Sequence, residues 1–285
     1  MSSPGSSSSS PSRSSNSTAP SDVASPASSE ISDLLGNLSI KDNAASELTR
    51  PLNDYTIRYL FCLDIEATCS EYLPFLEDTH EVIELPVVLV DTHKCEIIDE
   101  FHTFVKPRYA RILTAHCTEL TGITQAQVDS APTFPQAIDM LNRFMLSHAD
   151  ILSPHPKDTS ASQRAYRNYA WVTDGNADID RFLCLRSCKI NRVLLPPYLQ
   201  GQYINLKQLY KDHFRERGHK RMAEMLHTWN AEFEGRLHSG LDDARQVARI
   251  MIFLMKREHV DLRTNRSIVM QSNYRFTYRN LSPRW

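Results

Sequence analysis

Residues 60–68 read Leu60-Phe61-Cys62-Leu63-Asp64-Ile65-Glu66-Ala67-Thr68, an apolar run that ends with two acids. The run predicts a buried β-strand. Side chains of a strand alternate between its two faces, so Asp64 and Glu66 would point the same way while Leu63 and Ile65 pack inward. Two neighbouring carboxylates repel each other and lose hydration, which favours a divalent, oxygen-preferring cation such as Mg²⁺ between them. From these residues alone, two solvated acids at an exposed strand end are the alternative.

The composition is that of an intracellular globular protein with additional segments. The chain has 285 residues, of which 41% are hydrophobic, enough for one sizeable domain with extras or for two small ones. Its six cysteines form no C-x-x-C pair, so we expect a reducing compartment rather than a zinc site or a disulfide framework. We find no apolar signal sequence and no stretch approaching a membrane span. We therefore expect a soluble, cytoplasmic or nuclear protein without a membrane partner.

The charge is distributed unevenly along the chain. Residues 51–255 are acidic by five charges, whereas residues 256–285 are basic by five. The basic end mixes arginines with aromatic residues, namely Arg263, Arg266, Arg275, Arg279 and Arg284 with Tyr274, Phe276, Tyr278 and Trp285. Such a mixture suits single-stranded nucleic acid, because aromatic rings stack on bases and arginines contact phosphates. A surface strand and tail that pack on the domain are the alternative.

Hydrophobic periodicity predicts the remaining organisation. Residues 1–50 are rich in Ser, Pro, Ala and Asn and are predicted to be disordered, since they cannot bury enough apolar surface. Residues 81–91 and 95–105 are predicted strands joined by a short polar turn, hence an antiparallel hairpin. A strand at 169–174 and helices at 133–147, 178–188, 205–214, 220–229 and 241–255 follow. The pattern predicts an α/β fold with a mixed sheet flanked by helices.

Three further polar residues follow apolar elements. Asp178 begins a predicted helix, His238 lies in a polar stretch, and Asp243 lies in the first turn of the last helix. Each has an ordinary explanation when taken alone, because acids are common in first helical turns and loop histidines are usually exposed. In chain order, however, the polar residues read D-x-E, then D, then H-x-x-x-x-D.

This order resembles that of the DEDDh 3′→5′ exonucleases, which have a ribonuclease-H-like fold. It is most similar to the branch that contains the enhancer-of-RNAi and histone-mRNA 3′ exonucleases. The resemblance extends over residues 59–255. The segments that carry it are Leu63-Asp-Ile-Glu-Ala-Thr-Cys69, Glu81-Val-Ile-Glu-Leu-Pro86, Cys117-Thr-Glu-Leu-Thr-Gly-Ile123, Thr173-Asp-Gly175, Pro196-Pro-Tyr198, Tyr203-Ile-Asn-Leu206 and Gly235-Arg-Leu-His-Ser-Gly-Leu-Asp-Asp-Ala244.

The resemblance implies a nuclease domain at 55–257 and a separate basic extension at 258–285. It implies His238 as general base and two Mg²⁺ or Mn²⁺ ions held by four carboxylates, those of Asp64, Glu66, Asp178 and Asp243. Three neighbouring acids are rivals for these positions, namely Asp174, Asp180 and Asp242. The D-G-x-x-D pattern favours Asp178 over Asp174, and the five-residue step from His238 favours Asp243.

The activity that the resemblance implies is hydrolysis of RNA from its 3′ end into 5′-mononucleotides. The implied substrates are single-stranded 3′ ends or small RNA duplexes, in RNA processing or small-RNA turnover. A DNA 3′→5′ exonuclease is one alternative. A catalytically silent RNA-binding or scaffold protein on the same fold is another, although the presence of all five catalytic residue types argues against it.

Overall fold

The computed structural model describes residues 57–71, 80–152, 168–270 and 276–280. The prediction of disorder for residues 1–50 lies outside these ranges. Within them, no helix combines the length and the apolar character needed to cross a membrane.

One mixed sheet forms the centre of the domain. Its strands are β1 Tyr59–Leu63, β2 Glu66–Ala67, β3 Val82–Asp91, β4 Glu96–Phe104, β5 Tyr169–Thr173, β6 Gly201–Asn205, β7 Arg266–Met270 and β8 Phe276–Asn280. Strand β3 pairs with β1, and β5, β6, β7 and β8 follow in that order, while β2 and β4 also pair with β3. The β1–β5 and β5–β6 pairs are parallel and the others are antiparallel, including the predicted β3–β4 hairpin. The predicted mixed α/β sheet is confirmed.

Helices pack on the sheet. They are α1 Ala115–Thr121, α2 Gln125–Ser130, α3 Phe134–Ser147, α4 Ala149–Leu152, a π-helix Ala177–Cys188 that continues into α5 Lys189–Asn191, then α6 Leu206–Phe214, α7 Met222–His227 and α8 Gly240–Lys256. The five predicted helices are all present, although the one that begins near Asp178 is a π-helix. Helices α1 and α2 were not predicted, because each has only six or seven residues and too few turns to show a period.

Two cores lie on the two faces of the sheet. One contains Phe61 and Leu63 of β1 together with Leu141 of α3. The other contains Leu60 and Cys62 of β1 with residues of α8 such as Val247 and Met251. Successive residues of β1 thus enter opposite cores, as the alternation of strand side chains requires. This arrangement packs α8 over β1, the strand that directly precedes Asp64.

The prediction of one unbroken strand over residues 60–68 is wrong in one respect. The strand is interrupted at Asp64 and Ile65, and the register of β2 against β3 shifts between Glu66 and Ala67. The Ile65 backbone N–H donates to Asp178 Oδ1 at 3.0 Å. Because this donor is directed to the π-helix, Asp64 lies in the break and Glu66 lies in β2, so the two acids are not on one continuous ladder.

The sheet continues past residue 257. Strand β7 pairs with β6 and β8 pairs with β7, so part of the predicted basic extension belongs to the sheet. Arg266, one of the arginines of this extension, forms an ion pair with Asp180 at 2.6 Å. RNA contact by the extension stays a prediction.

Candidate active site

Asp64 directly follows the carboxyl end of β1, and Glu66 lies in the short strand β2. Asp64 is half-buried and Glu66 is 9% exposed. Burial, together with the charges of Asp178 and Asp243, raises the pKa of Asp64 well above its ordinary value. Burial and the charge of Asp243 raise the pKa of Glu66 to about 9. The two carboxylates are therefore held in an environment that disfavours their own negative charge.

Asp178 connects the π-helix to the interrupted strand. It lies in the first turn of that helix, is buried, and accepts the hydrogen bond from the Ile65 N–H. Burial raises the pKa of Asp178 to about 7, even though the Ile65 hydrogen bond favours its charged form. The local strand break and the position of Asp178 thus have the same cause, a hydrogen bond between residues 113 positions apart.

Asp243 lies in the first turn of α8. It is 3% exposed, and its Oδ1 is buried without a hydrogen-bond partner among the residues that the structure describes. Its carboxylate accepts a hydrogen bond from the His238 backbone N–H, but burial still raises the pKa of Asp243 to about 7. An unpaired buried carboxylate oxygen is costly unless a cation or another donor reaches it.

His238 is exposed, and its backbone has a φ of 61° in the left-handed region. One ligand atom of its ring, one of Glu66 and one of Asp243 all lie within 4.8 Å of one another, a spacing that a metal ion could bridge. Asp64 and Asp178 lie outside this close group. They belong to the same site electrostatically, because each of Asp178, Asp243 and Glu66 raises the pKa of Asp64.

The rival acids have other partners. Asp174 forms an ion pair with Lys207, although its charge still raises the pKa of Asp64. It is therefore a neighbour of the site whose charge is already balanced by a lysine. Its second carboxylate oxygen, Oδ1, is buried without a hydrogen-bond partner among the described residues.

Asp180 and Asp242 are engaged in structural contacts. Asp180 accepts from the Tyr203 hydroxyl at 2.9 Å and from Arg266 at 2.6 Å. Asp242 forms an ion pair with Arg245 at 3.2 Å. Both carboxylates already have the donors that a buried or half-buried acid needs, so neither is a free ligand for a cation.

Glu84 belongs to the segment of residues 81–86, and the sequence alone predicted no role for it. It is the third residue of β3 and 3% exposed, and its Oε2 accepts a hydrogen bond from the Gly240 N–H at 3.0 Å. A Cβ on Gly240 would lie 2.8 Å from the Asp64 backbone oxygen, so only glycine allows this approach of α8 to β1. An acid inside an apolar strand run is a signal that could have drawn attention to Glu84, since such a group needs partners.

The donor set fits a hard divalent cation. Carboxylate oxygens are the preferred protein ligands of Mg²⁺ and Mn²⁺. A cation among these carboxylates would favour their charged forms, whose pKa values are otherwise raised. It would also give the buried Asp243 Oδ1 a partner. The site is therefore suited to divalent metal and to hydrolysis of a phosphate ester.

Known proteins of similar sequence show the family of this chain. Residues 61–160 match the family model described as Exonuclease (RNase_T). The 3′-5′ exonuclease eri1 of Schizosaccharomyces pombe is 36% identical over 75% of this chain and 73% of that protein. The mouse 3′-5′ exoribonuclease 1 is 35% identical over 74% of this chain, which spans 56% of the length of the mouse protein.

Two solved structures are also similar. A 3′-exonuclease, solved in work on 3′-end-specific recognition of the histone mRNA stem-loop, has a TM-score of 0.66 and 32% identity, covering 80% of this chain and 92% of that chain. The nuclease domain of 3′hExo, a DEDDh family member bound to rAMP, has a TM-score of 0.62 and 33% identity. The match covers 73% of this chain and 96% of that chain. The chain belongs to the Eri1 family of 3′-5′ exoribonucleases, and its domain has the ribonuclease-H-like fold of the DEDDh exonucleases.

Proposed function

We propose that this chain removes 5′-mononucleotides from RNA 3′ ends with two Mg²⁺ or Mn²⁺ ions and His238 as general base. The ions would be held by four carboxylates, those of Asp64, Glu66, Asp178 and Asp243. The observation that carries the proposal is the buried Asp243 Oδ1, which has no hydrogen-bond partner among the described residues. It lies among acids whose pKa values are all raised.

The four carboxylates would hold the two cations and orient them. When bound, two cations would stabilise the attacking and leaving oxygens of an in-line displacement at phosphorus. The acids must be ionised to bind them, and they keep their charge throughout the reaction. Glu66 lies in β2 and Asp178 in the π-helix, and the hydrogen bond from the Ile65 N–H to Asp178 joins the segment before Glu66 to that helix.

His238 is exposed to solvent and close to the acids. Its ring lies within 4.8 Å of ligand atoms of Glu66 and Asp243, so a water placed beside these acids would be within reach of the imidazole. A neutral ring nitrogen can take the proton of that water as the phosphodiester is attacked, and general-base catalysis of this kind contributes about 10²–10⁴ in rate. The proton then leaves through solvent, because the ring is exposed.

The choice of RNA is supported by the relatives rather than by the carboxylates. The mouse relative is named an exoribonuclease, and the work on one structural neighbour concerns a histone mRNA stem-loop. We extend this to single-stranded 3′ ends and small RNA duplexes as substrates of this chain, in RNA processing or small-RNA turnover.

The test is a time course on 5′-labelled single-stranded RNA and matched DNA with Mg²⁺, Mn²⁺ or EDTA. We expect a ladder that shortens from the 3′ end, is faster on RNA, and stops in EDTA. Asp243→Asn should abolish shortening, while Asp139→Asn, the same change on the exposed face of α3, should not. Binding of RNA without shortening under every metal would refute the proposal and favour a scaffold.

A further inference from the structure

Two cysteines lie next to the acid site and next to each other. Cys69 follows Glu66 by three residues, and Cys117 lies in α1. The Thr114 hydroxyl, at the N-terminus of α1, donates to the Cys69 carbonyl oxygen at 2.7 Å and accepts from the Cys117 N–H at 2.9 Å. Cys117 Sγ also lies 3.9 Å from the Ala67 carbonyl oxygen. The loop after Glu66 and the N-terminus of α1 are thus joined at two points around this pair.

The two cysteine side chains interact without a covalent bond. The Cys69 thiol donates a hydrogen bond to the Cys117 sulfur, and neither cysteine is in a disulfide. Hydrogen bonds from the Cys69 side chain and backbone lower the pKa of Cys117 to about 7. By contrast, burial raises the pKa of Cys62 and Cys188. Cys117 therefore has thiolate character near neutral pH, which those buried thiols lack, whereas its hydrogen bond to Cys117 and burial raise the pKa of Cys69.

The pair is open to small reagents on one side only. Cys69 is half-buried and lines a cavity of about 250 Å³, together with Thr68, Ser70 and Thr114. Cys117 is fully buried in a small apolar cluster with Ile83 and Ile123. A small oxidant can reach Cys69 through the cavity, whereas a bulky thiol reagent cannot reach Cys117.

We propose that Cys69 and Cys117 form a reversible intramolecular disulfide with a peroxide as oxidant, and that this modification slows the exonuclease. The Cys117 thiolate takes the proton of the Cys69 thiol, and the Cys69 sulfur attacks the peroxide O–O bond, which yields Cys69 sulfenic acid and a hydroxide that removes the proton from Cys117. The Cys117 thiolate then attacks the Cys69 sulfur, forming the S–S bond and displacing a second hydroxide. With the two thiol protons, the two hydroxides leave as water, so one peroxide is reduced for each disulfide.

The effect on activity rests on the proposed function, whereas the disulfide itself does not. An S–S bond of about 2.05 Å is much shorter than a thiol–thiol contact, so its formation draws residues 67–69 toward α1. Glu66 directly precedes this segment and belongs to the two-residue strand β2. A displacement of about 1 Å at a catalytic centre can lower the rate by up to about 100-fold.

The test treats the full chain with hydrogen peroxide, blocks free thiols, and maps disulfides by mass spectrometry without reduction. We expect a Cys69–Cys117 cross-linked peptide, a fall in exonuclease rate of about tenfold or more, and recovery of the rate with dithiothreitol. Cys69→Ser should form no cross-link and keep its rate after peroxide. Cys95→Ser, a change at a half-buried cysteine in the β3–β4 turn, should behave as wild type.

Two results would overturn the inference. One is the absence of the Cys69–Cys117 peptide when the treatment oxidises Cys95. The other is a cross-linked chain that cleaves RNA at the unoxidised rate. A chain that is inactive before oxidation would count against the proposed function instead, and the mass spectrum would still decide whether the disulfide forms.

Discussion

The Glu84 carboxylate accepts a hydrogen bond of 3.0 Å from the backbone N–H of Gly240, the first residue of α8. A second bond of 3.3 Å comes from the Leu241 N–H, and His102 Nε2 lies 2.7 Å from Glu84 Oε1. A carboxylate at a helix N-terminus interacts favourably with the unpaired N–H groups and the helix dipole. Because Asp243 lies in the first turn of this helix, Glu84 fixes the position of Asp243 relative to β1 without being a ligand itself.

Replacement of Glu84 should therefore loosen the site. We expect Glu84→Ala to lower the free energy of unfolding by about 1–3 kcal/mol, since the buried Gly240 N–H and the partly buried Leu241 N–H lose their acceptor. Glu84→Gln, which keeps one acceptor oxygen, should lose less stability but should still weaken metal binding. Urea unfolding and metal titration measure the two effects. Glu96→Gln, on the exposed part of β4, is the control, and unchanged metal affinity in both Glu84 variants would contradict this role.

Gly240→Ala tests whether the close approach of α8 to β1 or helix propensity decides which residue is tolerated at position 240. Alanine is favoured over glycine inside a helix by about 1 kcal/mol, so propensity alone predicts stabilisation. The added Cβ would instead lie 2.8 Å from the Asp64 carbonyl oxygen and push α8 away from β1. We expect a loss of stability and of exonuclease rate, by about 10- to 100-fold. Gly218→Ala, outside the helices and where a Cβ meets nothing within 4 Å, is the control for the added methyl group; equal behaviour of the two variants would contradict the packing argument.

The raised carboxyl pKa values make the metal-free protein pH-dependent. Asp178 and Asp243 each have a pKa of about 7 in the fold, against about 4 in an unfolded chain. The folded form thus binds their protons more tightly, so their contribution to stability is full below pH 4 and is lost as pH rises toward and through 7. In EDTA, Asp243→Asn should be more stable than wild type at pH 8, and this difference should shrink at pH 5. Urea unfolding at both pH values measures it, and a pH-independent difference would argue against a buried, repelled carboxylate.

His238 should be required for rate but not for metal binding. Its backbone lies in the left-handed region, which asparagine tolerates better than most residues, so His238→Asn keeps the local conformation. We expect a rate lower by about 10²–10⁴-fold and nearly unchanged Mn²⁺ affinity. Single-turnover cleavage and metal titration supply the two readings. An equal loss of metal affinity would make the imidazole a metal ligand rather than a base.

Local patterns predicted most of the elements, because their causes are local. The β3–β4 hairpin and α3, with Thr133 at its N-terminus, follow from alternation, helical spacing and turn residues close in sequence. The same patterns missed the break at Asp64 and Ile65, since its cause is a hydrogen bond to Asp178 across 113 positions.

In the candidate site, too, the sequence predicted what depends on local patterns and missed what depends on distant contacts. Motif order indicated which acids to consider, and the resemblance selected among them. The partners that engage the rivals could not be predicted, because they come from distant elements. Lys207 of α6 pairs with Asp174, and Arg266 of β7 pairs with Asp180. The role of Glu84 likewise depends on a contact between β3 and α8 that only the fold creates.

Calorimetric titration of the purified chain with Mn²⁺ measures directly whether these carboxylates bind divalent cations. We predict two bound ions per chain, with affinity rising from pH 6 to pH 8 as Asp178 and Asp243 lose their protons. Asp243→Asn should lose at least one ion, while Asp139→Asn should match wild type. Binding that is unchanged in Asp243→Asn, or absent from wild type at pH 8, would contradict the account.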